Sequence, residues 1–204
     1  MRNITWILLV LVIACFAANN EGISTPRINA HPQPAVYNEF YWDDGMVDSA
    51  WVWYTGGNYW AVQFDDDKTG GCEGNVNSVG CCSYSGWPDS TFQGTYLHIF
   101  DDYGSYPNTD LSRDFVATGS TFVFVDTDVD ISTSVFYVAW EQYGNYPACD
   151  GMAVDAAAGT HNWTGFSGSW GPDSAYGDFM LRCYWQEKPG VATSSWGAVK
   201  SLYQ

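Results

Sequence analysis

The sequence predicts an all-β fold, an antiparallel β-sandwich of jelly-roll-like type in a single domain. Short runs of β-branched and aromatic residues recur along the chain, and turns containing Gly, Pro, Asn or Asp separate them. No window keeps a 3.6-residue apolar period over a useful helical length, and residues 153–158 are too short and interrupted to count. The 204 residues, 46% hydrophobic and 18% aromatic, are sufficient to bury one sizeable core.

Ten strands are predicted, and each is an apolar or alternating run that ends at a turn. The turns include Gly56-Gly57-Asn58, Trp87-Pro88-Asp89 and Gly171-Pro172-Asp173, whose residue types favour tight reversals of the chain. In chain order the predicted strands are Trp51–Tyr54, Tyr59–Phe64, Val76–Tyr84, Thr95–Asp101, Leu111–Ala117, Thr121–Asp126, Val135–Trp140, Met152–Asp155, His161–Phe166 and Asp178–Trp185. Short strands at such spacing are typical of sandwiches and jelly rolls.

Residues 1–17 have the composition of an export signal. Arg2 gives a positive start, and Ile4–Ala14 form an apolar stretch that is short for a membrane span. One prediction is release after Ala17. The alternative is a lipobox that ends before Cys15, which makes Cys15 an acylated N-terminal residue and tethers the protein to a membrane. Both alternatives predict an exported protein.

Three further segments follow the signal. Residues 18–39 contain Pro26, Pro32 and Pro34 and are predicted to form an extended leader. Residues 40–186 form the predicted β-sandwich domain. Residues 187–204 are a small-residue linker and an apolar, basic tail. The tail has two interpretations, a disordered end or a peptide that docks or exchanges a strand with a neighbouring subunit.

The charge of the chain excludes some partners. The formal net charge is −16, so the phosphates of nucleic acid and of anionic lipid are repelled rather than neutralised. Cations and neutral polar ligands remain compatible with this charge. A membrane is an expected partner only if Cys15 is acylated.

The cysteines after the signal segment predict disulfide bonds in an exported protein. Cys183 lies on the apolar face of the last predicted strand and is interpreted as a buried, inert thiol. A bridge between the neighbours Cys81 and Cys82 is strained, because successive strand side chains point to opposite faces. The two remaining pairings both join Cys72 to one of these neighbours and Cys149 to the other.

Two near-identical turns indicate a binding surface. Tyr103-Gly104-Ser105-Tyr106-Pro107 and Tyr143-Gly144-Asn145-Tyr146-Pro147 each follow an apolar run that ends in an acid. If the two preceding strands are neighbours, we expect these loops to meet at one end of the sandwich. Tyrosine and tryptophan rings stack on the apolar faces of sugars, so exposed rings suit a glycan. The predicted ligand-binding residues are Tyr103, Tyr106, Tyr143, Tyr146, Trp163 and Trp170; packing of the tyrosine loops as a lid over the sandwich is the alternative.

Acidic residues offer a weaker prediction of a structural Ca²⁺ ion. Asp126, Asp128 and Asp130 alternate, so their carboxylates share one face of an extended segment. The turns 65–67 and 43–45 are also acidic, and Ca²⁺ takes six to eight oxygen ligands. None of these segments has the full EF-hand pattern. The alternative is a solvated acidic face that keeps an aromatic protein soluble.

Signals of catalysis are weak in this sequence. His31, His98 and His161 are the only histidines, no serine has a G-x-S-x-G context, and no base adjoins a nucleophile. Acids such as Asp101, Asp150 and Glu141 are too numerous to indicate a glycosidase pair. We therefore expect a protein that is not an enzyme.

The chain resembles an accessory module of large secreted bacterial surface proteins. The residues that carry this resemblance are Tyr41–Gly45, Gly56–Phe64, Gly86–Asp89, Phe136–Tyr143 and Gly177–Arg182. It covers about residues 40–185, and Ser195–Gln204 is similar to a C-terminal tag of such proteins. The resemblance implies a secreted β-sandwich without catalytic residues. It implies no particular ligand.

These observations predict an exported, non-catalytic binding or adhesion module. Its expected partner is an extracellular or cell-surface polymer, in the first place a glycan, held by the aromatic loops. The alternative function is a structural subunit of an extracellular fibre or surface layer. Such a subunit assembles by strand exchange and associates with itself through the C-terminal tail.

Overall fold

The computed structural model describes residues 37–188, except for residues 90, 92, 157–158 and 174–176. The predicted export signal with Cys15, residues 18–36 of the predicted leader and the tail from residue 189 lie outside the described residues. Within the described residues, the single short helix has neither the length nor the hydrophobicity to cross a bilayer.

The described residues form an all-β structure, as the sequence predicts. The strands are β1 (Asn38–Phe40), β2 (Ser49–Trp51), β3 (Tyr59–Phe64), β4 (Gly74–Cys81), β5 (Ser83–Pro88), β6 (Thr95–Asp102), β7 (Pro107–Val116), β8 (Val123–Ile131), β9 (Phe136–Glu141), β10 (Asp150–Val154), β11 (Asn162–Phe166), β12 (Ser169–Pro172) and β13 (Leu181–Glu187). One short helix, α1 (Asp66–Thr69), follows β3.

The strands pair into three antiparallel sheets. The largest has six strands in the order β12-β11-β3-β9-β6-β7. A four-stranded sheet has the order β1-β13-β4-β8, and a three-stranded sheet has the order β2-β10-β5. Every pairing between these strands is antiparallel.

The main core joins the six-stranded and four-stranded sheets. Alternate residues of β3 and β9 are buried in it, among them Trp60, Phe64 and Phe136. The Phe136 ring stacks on Phe64 at 5.3 Å and on Trp185 of β13 at 5.2 Å, so the rings form a continuous stack between the two sheets. Full burial of each such side chain contributes about 1.5–3 kcal/mol of hydrophobic free energy. The predicted strand Tyr59–Phe64 therefore contributes one face to this core.

One predicted strand is two strands in the structure. The run Val76–Tyr84 divides at Cys82, where the chain leaves the four-stranded sheet and enters the three-stranded sheet as β5. The N–H of Cys82 donates to the Met180 carbonyl at 3.2 Å, and its own carbonyl accepts from Ala153 at 3.3 Å. The apolar character continues through this corner, so hydrophobicity alone does not mark the change of sheet.

The predicted disulfide framework is wrong in this structure, because all five described cysteines are free thiols. Cys72 precedes β4, whereas Cys81 ends it, and β4 is eight residues long. At about 3.3 Å per residue the two ends of this strand are roughly 23 Å apart, and a disulfide needs Cα atoms within about 7 Å. Cys149 lies four residues before Ala153, the hydrogen-bond partner of Cys82. Four residues of extended chain span roughly 13 Å, so Cys149 is also displaced from Cys82 along the strand.

We expect one of these five thiols to react readily in the native protein. Burial raises the pKa of Cys82 to about 12 and that of Cys149 to about 11, and it also raises the pKa values of Cys81 and Cys183. A hydrogen bond with Glu187 raises the pKa of Cys72 too, but Cys72 alone among the five is partly exposed, so accessibility distinguishes it. Maleimide labelling at pH 8.5, followed by peptide mass spectrometry, should modify Cys72 first and the other four only after unfolding.

Matched labelling under denaturing conditions provides the test of the free-thiol state. Without a reductant, all five described cysteines should take up the reagent. A pair that stays unlabelled until a reductant is added would show a disulfide and contradict the structure. In a Cys72→Ser variant, the fast-reacting signal should disappear.

A buried ion pair connects the segment after β1 to β13. Arg182 donates from Nε to Asp43 at 3.1 Å and pairs through a second nitrogen with the other carboxylate oxygen of Asp43. The Asp43 side chain is fully buried, and Arg182 also donates to Glu39 at 3.3 Å. The sequence suggests the acidic turn at residues 43–45 as a source of calcium ligands. In the structure, its Asp43 carboxylate is bound by the Arg182 guanidinium.

A second buried acid makes stability depend on pH. Burial and the nearby carboxylates of Asp155, Asp43 and Asp44 raise the pKa of Asp178 to about 6. The unfolded value is about 3.9. The native state therefore binds more protons than the unfolded state between about pH 4 and pH 6, and stability falls as the pH rises through that window.

Asp178→Asn is expected to stabilise the protein at pH 7 by about 1 kcal/mol, because it removes a charge that is disfavoured by burial. At pH 4.5 the carboxyl of the native wild-type protein is protonated, so the advantage should largely disappear. Urea unfolding of both proteins at the two pH values measures the difference. An equal effect at both pH values would contradict a raised pKa at Asp178.

Candidate ligand-binding surface

The two tyrosine loops lie at opposite ends of the six-stranded sheet, so the predicted shared surface is wrong. Their preceding strands, β6 and β9, are neighbours, as expected, but they are antiparallel, with Asp101 opposite Phe136. The loop after β6 therefore emerges where β9 begins, and the loop after β9 emerges where β6 begins. The rings of Tyr103, Tyr106, Tyr143 and Tyr146 are all exposed, so their predicted accessibility is confirmed.

Trp163 and Trp170 do not join either tyrosine loop. They lie on the adjacent strands β11 and β12 and pack on the outer face of the six-stranded sheet. Trp163 contacts Tyr137 edge-on at 5.6 Å, and Trp170 contacts both Tyr59 and Phe100 at 5.3 Å. Both indoles are partly buried, so their first role is to cover this face.

The end that carries Tyr143 and Tyr146 gathers further aromatic side chains, and we call this group the aromatic end. Its members come from five separate segments of the chain. They are Tyr54, Trp87, Tyr96, Phe115, Tyr143 and Tyr146. Five of the six are exposed, at 85% for Tyr54, 39% for Trp87, 52% for Phe115, 51% for Tyr143 and 44% for Tyr146. Such a concentration of exposed rings at one end is typical of an interaction surface.

Tyr146 is the centre of one half of the aromatic end. Its ring lies edge-on to Tyr54 at 6.0 Å and tilted to Trp87 at 6.4 Å. The backbone N–H of Tyr146 donates to the Tyr54 carbonyl at 3.2 Å, which fixes the two segments together. The exposed rings therefore belong to backbone segments that are bonded to each other.

Tyr143 is the centre of the other half. It lies edge-on to Tyr96 at 5.9 Å and to Phe115 at 6.1 Å, and these two rings contact each other at 5.3 Å across β6 and β7. Tyr143 and Tyr146 belong to one loop, and this loop connects the two halves of the aromatic end.

The loop of Tyr143 and Tyr146 is held rigidly from beneath by Gln142. This side chain is 1% exposed, accepts from the Trp53 N–H at 2.6 Å and donates to the Trp53 carbonyl at 2.8 Å. It also donates to the Gly144 carbonyl at 3.0 Å. A Cβ atom at Gly56 would lie 2.6 Å from that carbonyl oxygen, so only glycine permits this approach. A loop fixed in this way loses little entropy when a ligand binds.

A charged network lies beside Tyr96 on the outer face of the sheet. The Arg113 guanidinium lies over the Tyr96 ring at 3.6 Å and donates to Glu141 at 3.0 and 3.1 Å. The hydrogen bond to Glu141 raises the pKa of Arg113. Buried His98 contacts Glu141 and Asp110, each at 2.9 Å. Both imidazole nitrogens of His98 are thus occupied by carboxylates, which leaves neither nitrogen open to a substrate.

Four members of the aromatic end were not predicted from the sequence. Tyr54 and Trp87 lie at the ends of predicted strands or in turns, and Tyr96 and Phe115 lie within strands. Among these four residues, only Trp87 has a local signal of exposure, because it belongs to the turn-like sequence Trp87-Pro88-Asp89. Their proximity depends on the pairing of β10 with β2 and β5 and of β6 with β7.

Asp126, Asp128 and Asp130 share one exposed face of β8, which confirms their predicted alternation. Asn75 donates to Asp128 at 2.9 Å and to Asp130 at 3.2 Å, and Lys188 pairs with Asp130 at 3.4 Å. The bond from Asn75 and the charge of Lys188 lower the pKa of Asp130. These carboxylates therefore already have protein partners, and calcium at this strand stays a prediction.

Comparison of the chain with protein-family models, with curated proteins and with solved structures finds no match.

Proposed function

We propose that the protein is an exported, non-catalytic module that binds a neutral extracellular or cell-surface glycan through the aromatic end. The observation that carries this proposal is that five exposed rings gather at one end of the six-stranded sheet, and that the loop of two of them, Tyr143 and Tyr146, is fixed by the hydrogen bonds of buried Gln142. Rings with polar edges stack on the apolar faces of sugars while their hydroxyl and N–H groups stay in water.

The charge of the protein supports a neutral rather than an anionic polymer. The net charge is −16, and Arg113, which lies beside the aromatic end, is already paired with Glu141. An anionic polysaccharide would meet long-range repulsion from this negative charge. Aromatic stacking requires no charge on the ligand.

The finer architecture is part of the same proposal. We take the six-stranded and four-stranded sheets to be the two layers of a jelly-roll-like sandwich, because Phe64, Phe136 and Trp185 stack between them. In such a sandwich the loops cluster at two ends, and the aromatic end is one of them. The export signal predicted for residues 1–17 supports an extracellular or cell-surface location.

A binding panel tests the proposed function. The purified protein is incubated with neutral polymers (cellulose, chitin, xylan and a mixed-linkage β-glucan) and with anionic polymers (alginate and heparin), and the unbound fraction is measured. We expect saturable depletion by at least one neutral polymer and no depletion by the anionic ones at 150 mM salt. Depletion by the anionic polymers alone would overturn the proposal.

The structural-subunit alternative is distinguished in the same experiment. Deleting residues 190–204 should leave binding to the neutral polymer unchanged if the aromatic end is the site. If no polymer of the panel binds and the full chain forms fibres that this deletion abolishes, the structural alternative is correct and the glycan proposal is wrong.

A further inference from the structure

A possible metal-ligand set lies at the end of the six-stranded sheet opposite to the aromatic end. Asp65 directly follows β3, and His161 directly precedes β11. These strands pair with Asn162 opposite Val62, and the Gln63 N–H donates to the His161 carbonyl at 2.8 Å. Since the strands are antiparallel, this register brings the start of one and the end of the other together. His161 and Asp65 are far apart in the sequence and adjacent in the structure.

Three side chains converge here with one donor atom each. Ligand atoms of Asp65, Asp67 and His161 all lie within 4.8 Å of one another. Oδ1 of Asp65 accepts from the Asp67 N–H at 3.1 Å, which leaves Oδ2 of Asp65 3.5 Å from Nε2 of His161. That separation is longer than an ordinary N–H···O hydrogen bond.

The imidazole of His161 is held in a fixed orientation. Its ring stacks on Trp42 with a centroid distance of 3.6 Å and an interplanar angle of 2°. Nδ1 lies 3.0 Å from the Thr160 hydroxyl, so Nε2 is the nitrogen that faces the carboxylates. Trp42 itself is fixed, because its indole N–H donates to the Gln63 carbonyl at 2.9 Å. An outer partner that orients a histidine in this way is usual for a metal ligand.

We propose that Asp65, Asp67 and His161 bind one divalent transition-metal ion, for which Zn²⁺ is the probe. With Zn–N and Zn–O bonds of about 2.0–2.2 Å, two ligand atoms of a tetrahedral site are about 3.4 Å apart. The Asp65–His161 separation of 3.5 Å has this size. Three protein ligands leave a fourth position for water or for a group of a partner.

The ligand types favour a transition metal over calcium. Imidazole nitrogen suits Zn²⁺ and its neighbours in the first row, whereas Ca²⁺ takes six to eight oxygens. The nearby cation, Lys68, has its ammonium over the Trp42 ring at 4.1 Å. The negative charge of Asp66, in the same turn, offsets the positive charge of Lys68.

Titration calorimetry of the full chain, with any affinity tag removed, tests this site. We expect one Zn²⁺ to bind per molecule and Ca²⁺ to bind at least 10-fold more weakly. His161→Ala and Asp67→Asn should each weaken Zn²⁺ binding at least 10-fold. The matched control is Asp66→Asn, which removes the same charge from the same turn without removing a proposed ligand, and it should change the affinity less than 3-fold.

Co²⁺ absorption separates this site from zinc bound by a thiol. A nitrogen- and oxygen-ligated Co²⁺ gives visible d–d bands without the intense near-ultraviolet band of a Co²⁺–thiolate bond, and Cys72→Ser should leave the spectrum unchanged. Equal weakening by Asp66→Asn and Asp67→Asn would show diffuse attraction to an acidic turn and overturn the proposal. A thiolate band in the Co²⁺ spectrum would overturn the proposal as well. So would wild-type Zn²⁺ affinity in the His161→Ala variant, or the absence of Zn²⁺ binding by the wild-type protein.

Discussion

Replacing Arg182 with alanine is expected to lower the free energy of unfolding by about 3–5 kcal/mol, because it leaves the buried carboxylate of Asp43 without its guanidinium. The Asp43 side chain is fully buried and takes two bonds from Arg182. The guanidinium also lies over the Phe122 ring at 4.0 Å and the Tyr41 ring at 4.7 Å, so its packing is lost as well. Urea unfolding at pH 7 measures the loss.

Two matched variants identify the cause of this loss. Arg113→Ala removes an arginine that is also bonded to a carboxylate, but its side chain is 48% exposed, and we expect a cost of about 0–1 kcal/mol. Arg182→Met combined with Asp43→Asn removes both charges of the buried pair and should recover about 2 kcal/mol relative to Arg182→Ala. A loss for Arg182→Ala no larger than that for Arg113→Ala would contradict the assigned role of this pair.

Replacing Tyr54 and Tyr146 together with alanine is expected to weaken binding of the retained neutral polymer by roughly 10²-fold or more. Each buried aromatic anchor of an interface contributes about 1–3 kcal/mol. The two rings contact each other at 6.0 Å, so their effects should not be strictly additive. Both side chains are exposed, which leaves the core and the melting temperature nearly unchanged. Depletion isotherms of both proteins measure the affinity.

The opposite end of the sheet supplies a matched control for this loss. Tyr103 and Tyr106 are exposed, contact each other edge-on at 6.3 Å and lie in a loop of nearly the same sequence. Alanine at both positions removes the same number of exposed tyrosine rings. We expect this variant to bind the polymer with wild-type affinity within about 2-fold. Equal weakening by both pairs would indicate non-specific adhesion of aromatic side chains.

Local pattern predicts the strands of this protein better than their arrangement. The bounds predicted for Tyr59–Phe64 are those of β3, and its alternate residues Trp60, Val62 and Phe64 all lie in the main core. The three-residue strand β1 and the four-residue strand β12 have no such periodicity and were missed. A strand this short is defined by its partner rather than by its own sequence.

The candidate site depends on strand direction, which local sequence does not contain. The exposure of Tyr143 and Tyr146 follows from a Gly/Pro turn, and it was predicted. Whether Tyr103 lies beside them depends on the antiparallel pairing of β6 with β9, and that part was wrong. The contacts of Tyr146 with Tyr54 and Trp87 join segments 92 and 59 residues away in the sequence, so no local pattern indicates them.

The cysteines and the proposed zinc ligands illustrate the same limit. The number of cysteines predicts disulfides, but the length of β4 keeps Cys72 away from Cys81. Conversely, the sequence contains an acidic turn at residues 65–67, but nothing in its local pattern indicates that a histidine lies beside it. The register of β3 against β11 brings His161 to it.

Hydroxyl-radical footprinting of the protein on its retained neutral polysaccharide tests the central claim most directly, because it reports each tyrosine separately in the unmodified protein. Peptide mass spectrometry gives the oxidation rate of every ring with and without the polymer. We expect the polymer to slow oxidation of Tyr54, Tyr143 and Tyr146 several-fold and to leave Tyr103 and Tyr106 unchanged. Protection of Tyr103 and Tyr106, with Tyr54 and Tyr146 still oxidised at the free rate, would contradict binding at the aromatic end.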